Sequence, residues 1–437
     1  MCLRLISDAM LAVAAARLPD NRWRRAIGRR AARRALHAVA LAAAPDDPAT
    51  LAILGLYTRA AAAPADDAEG RIGRLVARAA LGEIPALGKA SGLPSSWQRR
   101  LSQIAAPADY LQAAALAPTD LARAACLYVG DRAAAELLLA GQSGREADVL
   151  AAGISLARGD QRAARHRLNA AFVGDGLVPP LADSDAAIDM AAFGGSGPVV
   201  ADGPLVSVIM PLHESAGTVE MAIASLLAQT YRRIEVIAID DRSTDQGPAI
   251  AARTGDPRVR VLANAGPPGV SGARNTGIAA STGAYVTFLD ADDWAHPQRI
   301  ARQLGAFGRA VGGTVGQHFR IDRAGMPVAP RVWPIVRLCA ISLFARRGVL
   351  TAAGPFEDAR TGSDAELLAR LDLLFGRRAI RRDPAILTVQ LWREGSLSHV
   401  GGRGLFSPER YDYRAAWMDR HLALWRARRL PMPLPAS

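Results

Sequence analysis

The first 172 residues carry apolar side chains at helical spacing and predict an all-α region. Alanine and leucine dominate there, β-branched runs are almost absent, and breakers such as Pro45-Asp46-Asp47-Pro48 divide the pattern into helix-length pieces. The pair Gly130-Asp131 recurs as Gly159-Asp160, each time shortly before a run of alanines. Because glycine ends helices and aspartate begins them, we expect tight helical hairpins at both places.

The pattern changes after a segment at 173–204 that is rich in glycine and proline and that we interpret as a linker. From there to the end of the chain, short β-branched runs alternate with helical stretches. The predicted strands cover 205–210, 234–239, 258–262 and 284–289. Near-continuous apolar strands separated by helices indicate an α/β domain whose mostly parallel sheet is covered on both faces.

Composition narrows the classes of protein. Arginine and lysine number 53 and aspartate and glutamate 41, which gives a net charge of +12 over 437 residues. Lys89 is the single lysine and neither half of the chain is a basic tail, so no nucleic-acid partner is expected. Three scattered cysteines suggest neither a disulfide framework nor a metal cluster. No apolar run reaches the ~20 residues of a membrane span, and Asp8 interrupts the N-terminal apolar stretch, so we expect a cytoplasmic protein.

Polar residues with metal or proton chemistry follow three of the predicted strands. His213 follows the first strand, Asp240 and Asp241 end the second, and Asp290 and Asp292 follow the fourth. Ligands bind at the carboxyl ends of the strands in such sheets, and acids gathered there require a positive group between them. The Asp290-x-Asp292 pair offers hard oxygen ligands that suit Mg²⁺ or Mn²⁺ shared with a diphosphate. The glycine-rich dinucleotide motif and the P-loop motif are missing from the sequence.

The same residues lie in segments that resemble the family 2 glycosyltransferases, which implies the A-type glycosyltransferase fold. The matching segments are VSVIMPLHE at 206–214, SLLAQTY at 225–231, IEVIAIDDRSTD at 234–245, GARNTGIAASTGAYVTFLDADD at 272–293 and HPQRI at 296–300. A weaker likeness continues to about residue 400. The helical region lies outside this resemblance and is weakly similar to tetratricopeptide hairpins. A partner-binding solenoid and a packing domain without a ligand both stay open for it.

The resemblance implies roles for particular residues. Contacts with the nucleotide sugar are expected from Pro211, His213, Glu214, Asp240, Asp241, Arg274, Asn275 and Asp290. Asp290 and Asp292 are expected to hold the metal, and Asp364 matches the family's catalytic base. Ser363 stands where the family usually has glutamate, and Arg242 where it usually has glycine.

We therefore predict three parts: an α-helical domain at 1–172, the linker at 173–204, and a glycosyltransferase domain at 205–437 with a C-terminal helical extension. The predicted function is metal-dependent, inverting transfer of a sugar from a nucleotide sugar, with a UDP-sugar favoured, to an acceptor hydroxyl. The resemblance implies surface polysaccharide or glycoconjugate synthesis with a carbohydrate or lipid-linked acceptor. A non-catalytic nucleotide-sugar-binding or scaffold protein and a nucleotidyltransferase on a similar sheet remain as alternatives.

Two further partners follow from the helical region. Hairpin repeats would suit a protein partner. Arginines that recur at helical spacing from Arg22 to Arg34, with Trp23 among them, would suit peripheral contact with the inner face of the membrane. The alternative for these arginines is a solvated basic face.

Overall fold

The computed structural model describes residues 22–83, 93–105, 109–328, 333–393, 407–427 and 430–435. The sequence also predicts a helix over the N-terminal apolar stretch around Asp8, and it offers His399 as a third metal ligand, with a histidine that binds no metal as the favoured alternative. Both places lie outside this part of the chain. The chain forms two compact units. Unit 1 comprises residues 1–119 and 398–431, and unit 2 comprises residues 120–397 and 432–437.

The described part of unit 1 is helical, as predicted. Its helices are α1 (Arg22–Arg33), α2 (His37–Ala43), α3 (Pro48–Leu54), α4 (Tyr57–Ala62), α5 (Ala68–Ala80), α6 (Ser95–Ala105), α7 (Tyr110–Leu116) and a C-terminal helix (Pro408–Ala427). The Pro/Asp breakers act as helix caps. The side chain of Asp47 accepts from Thr50 N at 2.8 Å, and that of Asp67 accepts from Gly70 N at 2.7 Å.

The arginines of α1 are used inside unit 1. Arg29 is buried, and its Nε donates to Asp47 Oδ2 at 2.9 Å while its Nη2 pairs with Asp67. Arg25 pairs with Asp66, and Arg24 donates to backbone carbonyls at the end of α2. These contacts give several arginines of α1 a structural role. The helical spacing of the arginines does not distinguish such a role from contact with a membrane, and the membrane contact stays a prediction.

A buried histidine pair joins the C-terminal helix to α2. His37 Nε2 and His421 Nδ1 are 2.8 Å apart, and the ring of Trp417 lies 5.4 Å from the His37 ring and 4.9 Å from the His421 ring, centroid to centroid. Burial, and then the neighbouring His421, lower the pKa of His37 to about 3. The neutral form of His37 is therefore the one compatible with this packing.

Unit 2 begins with two helical hairpins. They consist of α8 (Asp120–Leu127) with α9 (Arg132–Leu139), and α10 (Arg145–Ala157) with α11 (Gln161–Val173). Asp131 caps α9 by accepting from Ala134 N, and Asp160 caps α11 by accepting from Ala163 N. The predicted role of the repeated Gly-Asp pair as a helix boundary is confirmed.

The segment at 173–204 is packed in its first part, whereas residues 194–204 are exposed or half-buried. Leu181, Ile188 and Phe193 are buried, and Phe193 lies 5.3 Å from the ring of Trp294. Glycine and proline prevent regular helices and strands here, but the apolar side chains between them are still buried in the core. The predicted limits at 172 and 204 therefore do not coincide with the compact units, and as limits of independently folding domains they stay untested.

The sheet of unit 2 starts with the predicted parallel strands. These are β1 (Val206–Leu212), β2 (Ile234–Asp240), β3 (Val259–Ala263) and β4 (Tyr285–Phe288), in the order β3-β2-β1-β4. They are connected by α12 (Val219–Leu227), α13 (Gly247–Ala252) and α14 (Val270–Ala280). Leu212 is in register with Asp240, and Asp240 with Ala263, so these strands end at one edge of the sheet.

The remaining strands make the sheet mixed. The elements after β4 are β5 (Asp293–Ala295), α15 (Arg299–Gly305), β6 (Gly313–Ile321), β7 (Pro327–Val328), β8 (Arg337–Leu338), β9 (Phe344–Arg346), α16 (Arg347–Ala353), α17 (Ser363–Phe375) and β10 (Ile380–Leu391). The order continues β4-β9-β6-β10-β5, with β9 and β5 antiparallel to their neighbours and β6 parallel to β10. The predicted α/β fold is confirmed, whereas the predicted parallel character holds mainly for β1–β4.

Glu146 on α10 anchors the segment that leads into β8. Its carboxylate accepts from Ile335 N at 2.5 Å and from Val336 N at 3.0 Å, and burial raises its pKa. Nearby, the Tyr128 hydroxyl donates to Pro327 O at 3.0 Å. The helical hairpins therefore hold the backbone that flanks β6, and they are an integral part of unit 2.

Replacing His37 by glutamine should weaken the acid dependence of stability. An unfolded histidine titrates near 6.5, whereas His37 in the folded protein has a pKa of about 3. The unfolded chain thus gains a proton first, and this group removes up to about 1.4 kcal/mol of stability per pH unit as pH falls below about 6.5. Urea unfolding followed by circular dichroism at about pH 7 and about pH 5 measures the difference. His166→Gln, an exposed histidine, is the control, and equal acid sensitivity of His37→Gln and wild type would contradict the expectation.

Replacing Glu146 by alanine should free the amides of Ile335 and Val336. Each buried N–H left without an acceptor costs about 1–3 kcal/mol, so peptides covering 333–338 should exchange hydrogen at least ~5-fold faster. Glu146→Gln keeps an acceptor oxygen and should show a smaller change. Glu136→Ala, which removes an exposed ion pair with Arg158, is the matched control. Unchanged exchange at 333–338 in Glu146→Ala would show that the anchor does not hold this segment.

Candidate functional site

The ends of β1 and β2 form one corner of the site around Asp241. His213 Nδ1 lies 3.0 Å from Asp241 O, while the buried Asp241 carboxylate accepts from Asn264 Nδ2 at 2.7 Å and from Gly269 N at 2.6 Å. The His213 side chain itself is exposed, and Pro211 lies inside β1 in register with Ile239. Each carboxylate oxygen can accept a second hydrogen bond, so Asp241 keeps capacity for a ligand N–H.

Glu214 and Asp240 shape the two loops at this corner. Glu214 Oε1 accepts from Thr244 N at 2.7 Å and from Thr244 Oγ1 at 2.9 Å, and Asp240 Oδ1 accepts from Ser243 N at 2.9 Å. Glu214 has φ 47° and Arg242 has φ 63°, a backbone region that favours glycine. The turn that a glycine would form at position 242 is therefore retained with an arginine in its place.

Arg274 and Asp290 form the second corner. Arg274 is 5% exposed, and its Nη2 donates to Asp290 Oδ1 at 2.7 Å. Asn275 points elsewhere, since its Nδ2 donates to Phe356 O at 3.0 Å and its Oδ1 accepts from Phe356 N at 2.8 Å. Its amide thus fixes the segment that precedes α17. A contact between Asn275 and the nucleotide stays a prediction that this geometry does not favour.

Asp292 and Asp293 bring further negative charge beside Asp290. Asp292 Oδ2 accepts from Arg393 Nε at 3.0 Å, and Asp293 Oδ2 accepts from Gln390 Nε2 at 2.7 Å. Burial, and then the charge of Asp290, raise the pKa of Asp292, and burial followed by Asp292 and Asp290 raises that of Asp293 well above its usual range. From its place in the sequence Asp293 could also serve only as a cap of the next helix, but it lies in β5 and its carboxylate faces Gln390.

A buried arginine fixes the strand that delivers these acids. Arg299 is fully buried, and its Nη2 donates to Phe288 O at 2.8 Å and to Thr287 Oγ1 at 2.9 Å. Both acceptors lie at the end of β4, immediately before Asp290. The HPQRI segment thus contributes an arginine that fixes the end of the strand preceding the acidic residues.

The oxygen atoms of Asp290 and Asp292 fit a divalent cation that is shared with a ligand. Both are hard donors, and the charge of Asp290 raises the pKa of Asp292, a repulsion that a cation would relieve. Within the described ranges, no group of three or more His, Cys, Asp or Glu side chains is placed to hold a metal on its own. The remaining ligands would have to come from a diphosphate or from water.

Asp364 lies in the first turn of α17 and is partly exposed. Gly362 precedes it with φ 86°, and the buried Ser363 hydroxyl lies 2.9 Å from that of Ser271 at the start of α14. Burial lowers the pKa of Arg320, while the charges of Asp293, Asp364 and Asp292 raise it. Arg320 is therefore within electrostatic range of Asp364 as well as of the acids that follow β4.

Four residues of this region were not among the predicted site residues, namely Arg320, Gln390, Trp392 and Arg393. Arg320 is in the apolar strand β6, and Gln390 is in β10, directly opposite it. A charged residue inside a buried strand is the sequence signal that could have identified Arg320. The other three depend on the pairing of β6 with β10, which the sequence does not specify.

The sequence around this site is similar to that of known proteins. Residues 207–347 match the profile of glycosyl transferase family 2. The succinoglycan biosynthesis protein ExoO of Rhizobium meliloti is 40% identical over 107 residues, which are 24% of this chain and 31% of that protein. The Escherichia coli UDP-Glc:alpha-D-GlcNAc-diphosphoundecaprenol beta-1,3-glucosyltransferase WfaP is 36% identical over 100 residues, 23% of this chain and 40% of that protein. The chain thus spans about a third of the length of these relatives.

Two solved structures are also similar to part of the chain. Glucosyl-3-phosphoglycerate synthase of Mycobacterium tuberculosis has a TM-score of 0.36 at 21% identity, covering 51% of this chain and 81% of that chain. TarS of S. aureus in complex with UDP-GlcNAc has a TM-score of 0.37 at 20% identity, covering 51% and 71%. From the sequence matches, residues 207–347 are similar to glycosyl transferase family 2.

No helix in the described parts of the chain is long and apolar enough to cross a membrane.

Proposed function

We propose that this chain is a metal-dependent, inverting glycosyltransferase that moves a sugar from a nucleotide sugar to an acceptor hydroxyl. The observation that carries the proposal is the grouping of acids within a family 2 domain. Asp290 and Asp292 follow β4, and Arg320 lies within electrostatic reach of both Asp292 and Asp364. A pair of donor-side carboxylates and a separate acid on a helix are what such a transfer requires.

The nucleotide would be held at the corner formed by β1 and β2. Asp241 accepts a ligand N–H such as that of uracil, and the exposed His213 ring borders the base. Pro211, Glu214 and Asp240 shape the surrounding loops. The UDP-dependent E. coli relative supports a UDP-sugar as the donor.

The diphosphate would lie beside Asp290 and Asp292, which would hold Mn²⁺ or Mg²⁺. When bound, the cation supplies positive charge that stabilises the departing nucleoside diphosphate. Arg274 keeps Asp290 oriented through its 2.7 Å bond, and Arg393 neutralises Asp292. These arginines also provide donors with which phosphate oxygens can pair.

Asp364 would take the proton from the acceptor hydroxyl as its oxygen attacks the anomeric carbon. The bond between that carbon and the diphosphate oxygen breaks in the same displacement, so the configuration of the sugar inverts. The first turn of α17 presents Asp364, and the contact between Ser363 and Ser271 fixes the start of that helix. Because Ser363 replaces the usual glutamate, the acid on α17 would act without that neighbour.

The setting we propose is synthesis of a surface polysaccharide or glycoconjugate in the cytoplasm, including its membrane face. The R. meliloti and E. coli relatives support this setting and a carbohydrate or lipid-linked acceptor. A non-catalytic nucleotide-sugar-binding or scaffold protein is the second candidate, and Ser363 in place of glutamate is the observation that favours it. Sugar transfer by the purified chain separates the two candidates.

Replacing Asp292 by alanine should remove most of the metal-dependent part of nucleotide binding. The remaining carboxylate, Asp290, is itself paired with Arg274, so the cation keeps only one of its two proposed protein ligands. Calorimetry of UDP binding with and without Mn²⁺ should show a large metal effect in the wild type and about 10-fold less of it in Asp292→Ala. The exposed Asp358→Asn is the control, and an unchanged metal effect in Asp292→Ala would refute the assigned ligand.

Replacing Asp364 by asparagine should reduce transfer by roughly 10²–10⁴-fold, the usual contribution of a positioned general base. UDP affinity should stay near that of the wild type, because this acid faces the acceptor in the proposed mechanism. Rates of sugar transfer and UDP binding measured on the same preparation separate the two effects. Asp358→Asn again serves as the control. Near wild-type transfer would place the base elsewhere, and lost UDP binding would assign Asp364 to the donor site.

A further inference from the structure

The guanidinium group of Arg320 has protein partners at Nε and on one face, but its two Nη atoms have none among the described residues. Its Nε donates to Gln390 Oε1 at 3.2 Å, and its guanidinium carbon lies 5.4 Å from the centroid of the Trp392 ring. Gln390 is fixed in turn by its bond to Asp293. The guanidinium is therefore oriented by a hydrogen bond and an aromatic face, while the side chain stays partly exposed.

The acidic residues of this region already have protein partners. Asp290 pairs with Arg274, Asp292 pairs with Arg393, and Asp293 accepts from Gln390. Within the described part of the chain, Arg320 forms no ion pair, and its two Nη atoms donate to no protein acceptor. Among the described residues, none competes with a ligand for its charge and its planar pair of donors.

A buried histidine lies on the same strand. His318, two residues before Arg320 on the same face of β6, is 7% exposed, and its Nδ1 has no hydrogen-bond partner in the described residues. Burial of an unpaired polar atom is costly unless a ligand or water satisfies it. Arg320 and His318 thus each have side-chain nitrogen atoms without a partner among the described residues, on one face of β6.

We propose that Arg320 binds an anionic group of the acceptor, either a carboxylate or a phosphate. Two parallel N–H groups of a guanidinium match two oxygens of either anion. An acidic acceptor beside Asp364 would otherwise be repelled by that carboxylate. Arg320 compensates this repulsion on the acceptor side, whereas Arg274 and Arg393 serve the acids on the donor side. The inference rests on the proposed glycosyltransferase function and adds the chemical class of its acceptor.

The two sources of this anion are a sugar acid and a sugar phosphate, of which a lipid-linked sugar diphosphate is one form. Three probes separate them: methyl β-D-glucopyranoside as the neutral reference, methyl β-D-glucopyranosiduronic acid for the carboxylate, and glucose 1-phosphate for the phosphate. Each is titrated calorimetrically into the full chain saturated with UDP and Mn²⁺. We expect one anionic probe to bind at least ~10-fold more tightly than the neutral one, as for a charge-assisted hydrogen bond.

Arg320→Gln should abolish this preference, and Arg320→Lys, which keeps the charge without the planar pair of donors, should retain only part of it. Arg323→Gln, an exposed arginine in the turn after the same strand, should keep the wild-type preference. UDP affinity should be unchanged in all three variants, which also reports on folding.

Equal binding of neutral and anionic probes by the wild type, or a preference that survives in Arg320→Gln, overturns the inference. If the wild type transfers sugar but shows no anion preference, only the acceptor class is wrong. If the wild type binds no UDP, the proposed function fails and this inference fails with it.

Discussion

Repulsion among the carboxylates after β4 is the constraint on which the arrangement of the site depends. Asp290, Asp292 and Asp293 lie within four residues of sequence, and burial followed by the charge of the neighbouring carboxylates raises the pKa values of Asp292 and Asp293. Such a cluster is stable only if other groups hold each acid apart and supply positive charge. Arg274 does this from α14, and Gln390 and Arg393 do it from β10 and the residues directly after it, so the site needs more than one βαβ segment.

The mixed half of the sheet has a specific part in this arrangement. β10 brings Gln390 to Asp293 and leads directly to Arg393, while β6 brings Arg320 opposite Gln390. The helical hairpins support the same region from behind, because Glu146 holds the backbone next to β8. The parallel strands thus position the predicted donor residues, and the later strands position the groups that balance their charge.

The parts of this protein that follow from local sequence were predictable. Strands β1 to β4, the acids at their ends and the capping roles of Asp131 and Asp160 depend on apolar patterning and short-range backbone chemistry. The packing of 173–204 was not predictable from its glycine and proline content, because burial of Phe193 depends on Trp294, a residue distant in the sequence. The same reason applies to Asn275, whose partner Phe356 is on a different segment, and to Arg320, whose role depends on strand pairing.

The C-terminal helix has a consequence for synthesis of the chain. Unit 1 contains residues from both sides of unit 2, and its buried pair His37 and His421 joins positions separated by the whole of unit 2. On the ribosome, α2 emerges long before the C-terminal helix exists, whereas all residues of the sheet are synthesised in between. Since domains fold as they emerge, the sheet can form first, and the apolar face of α2 around His37 must stay exposed, or be protected by a chaperone, until the helix that carries His421 has been synthesised.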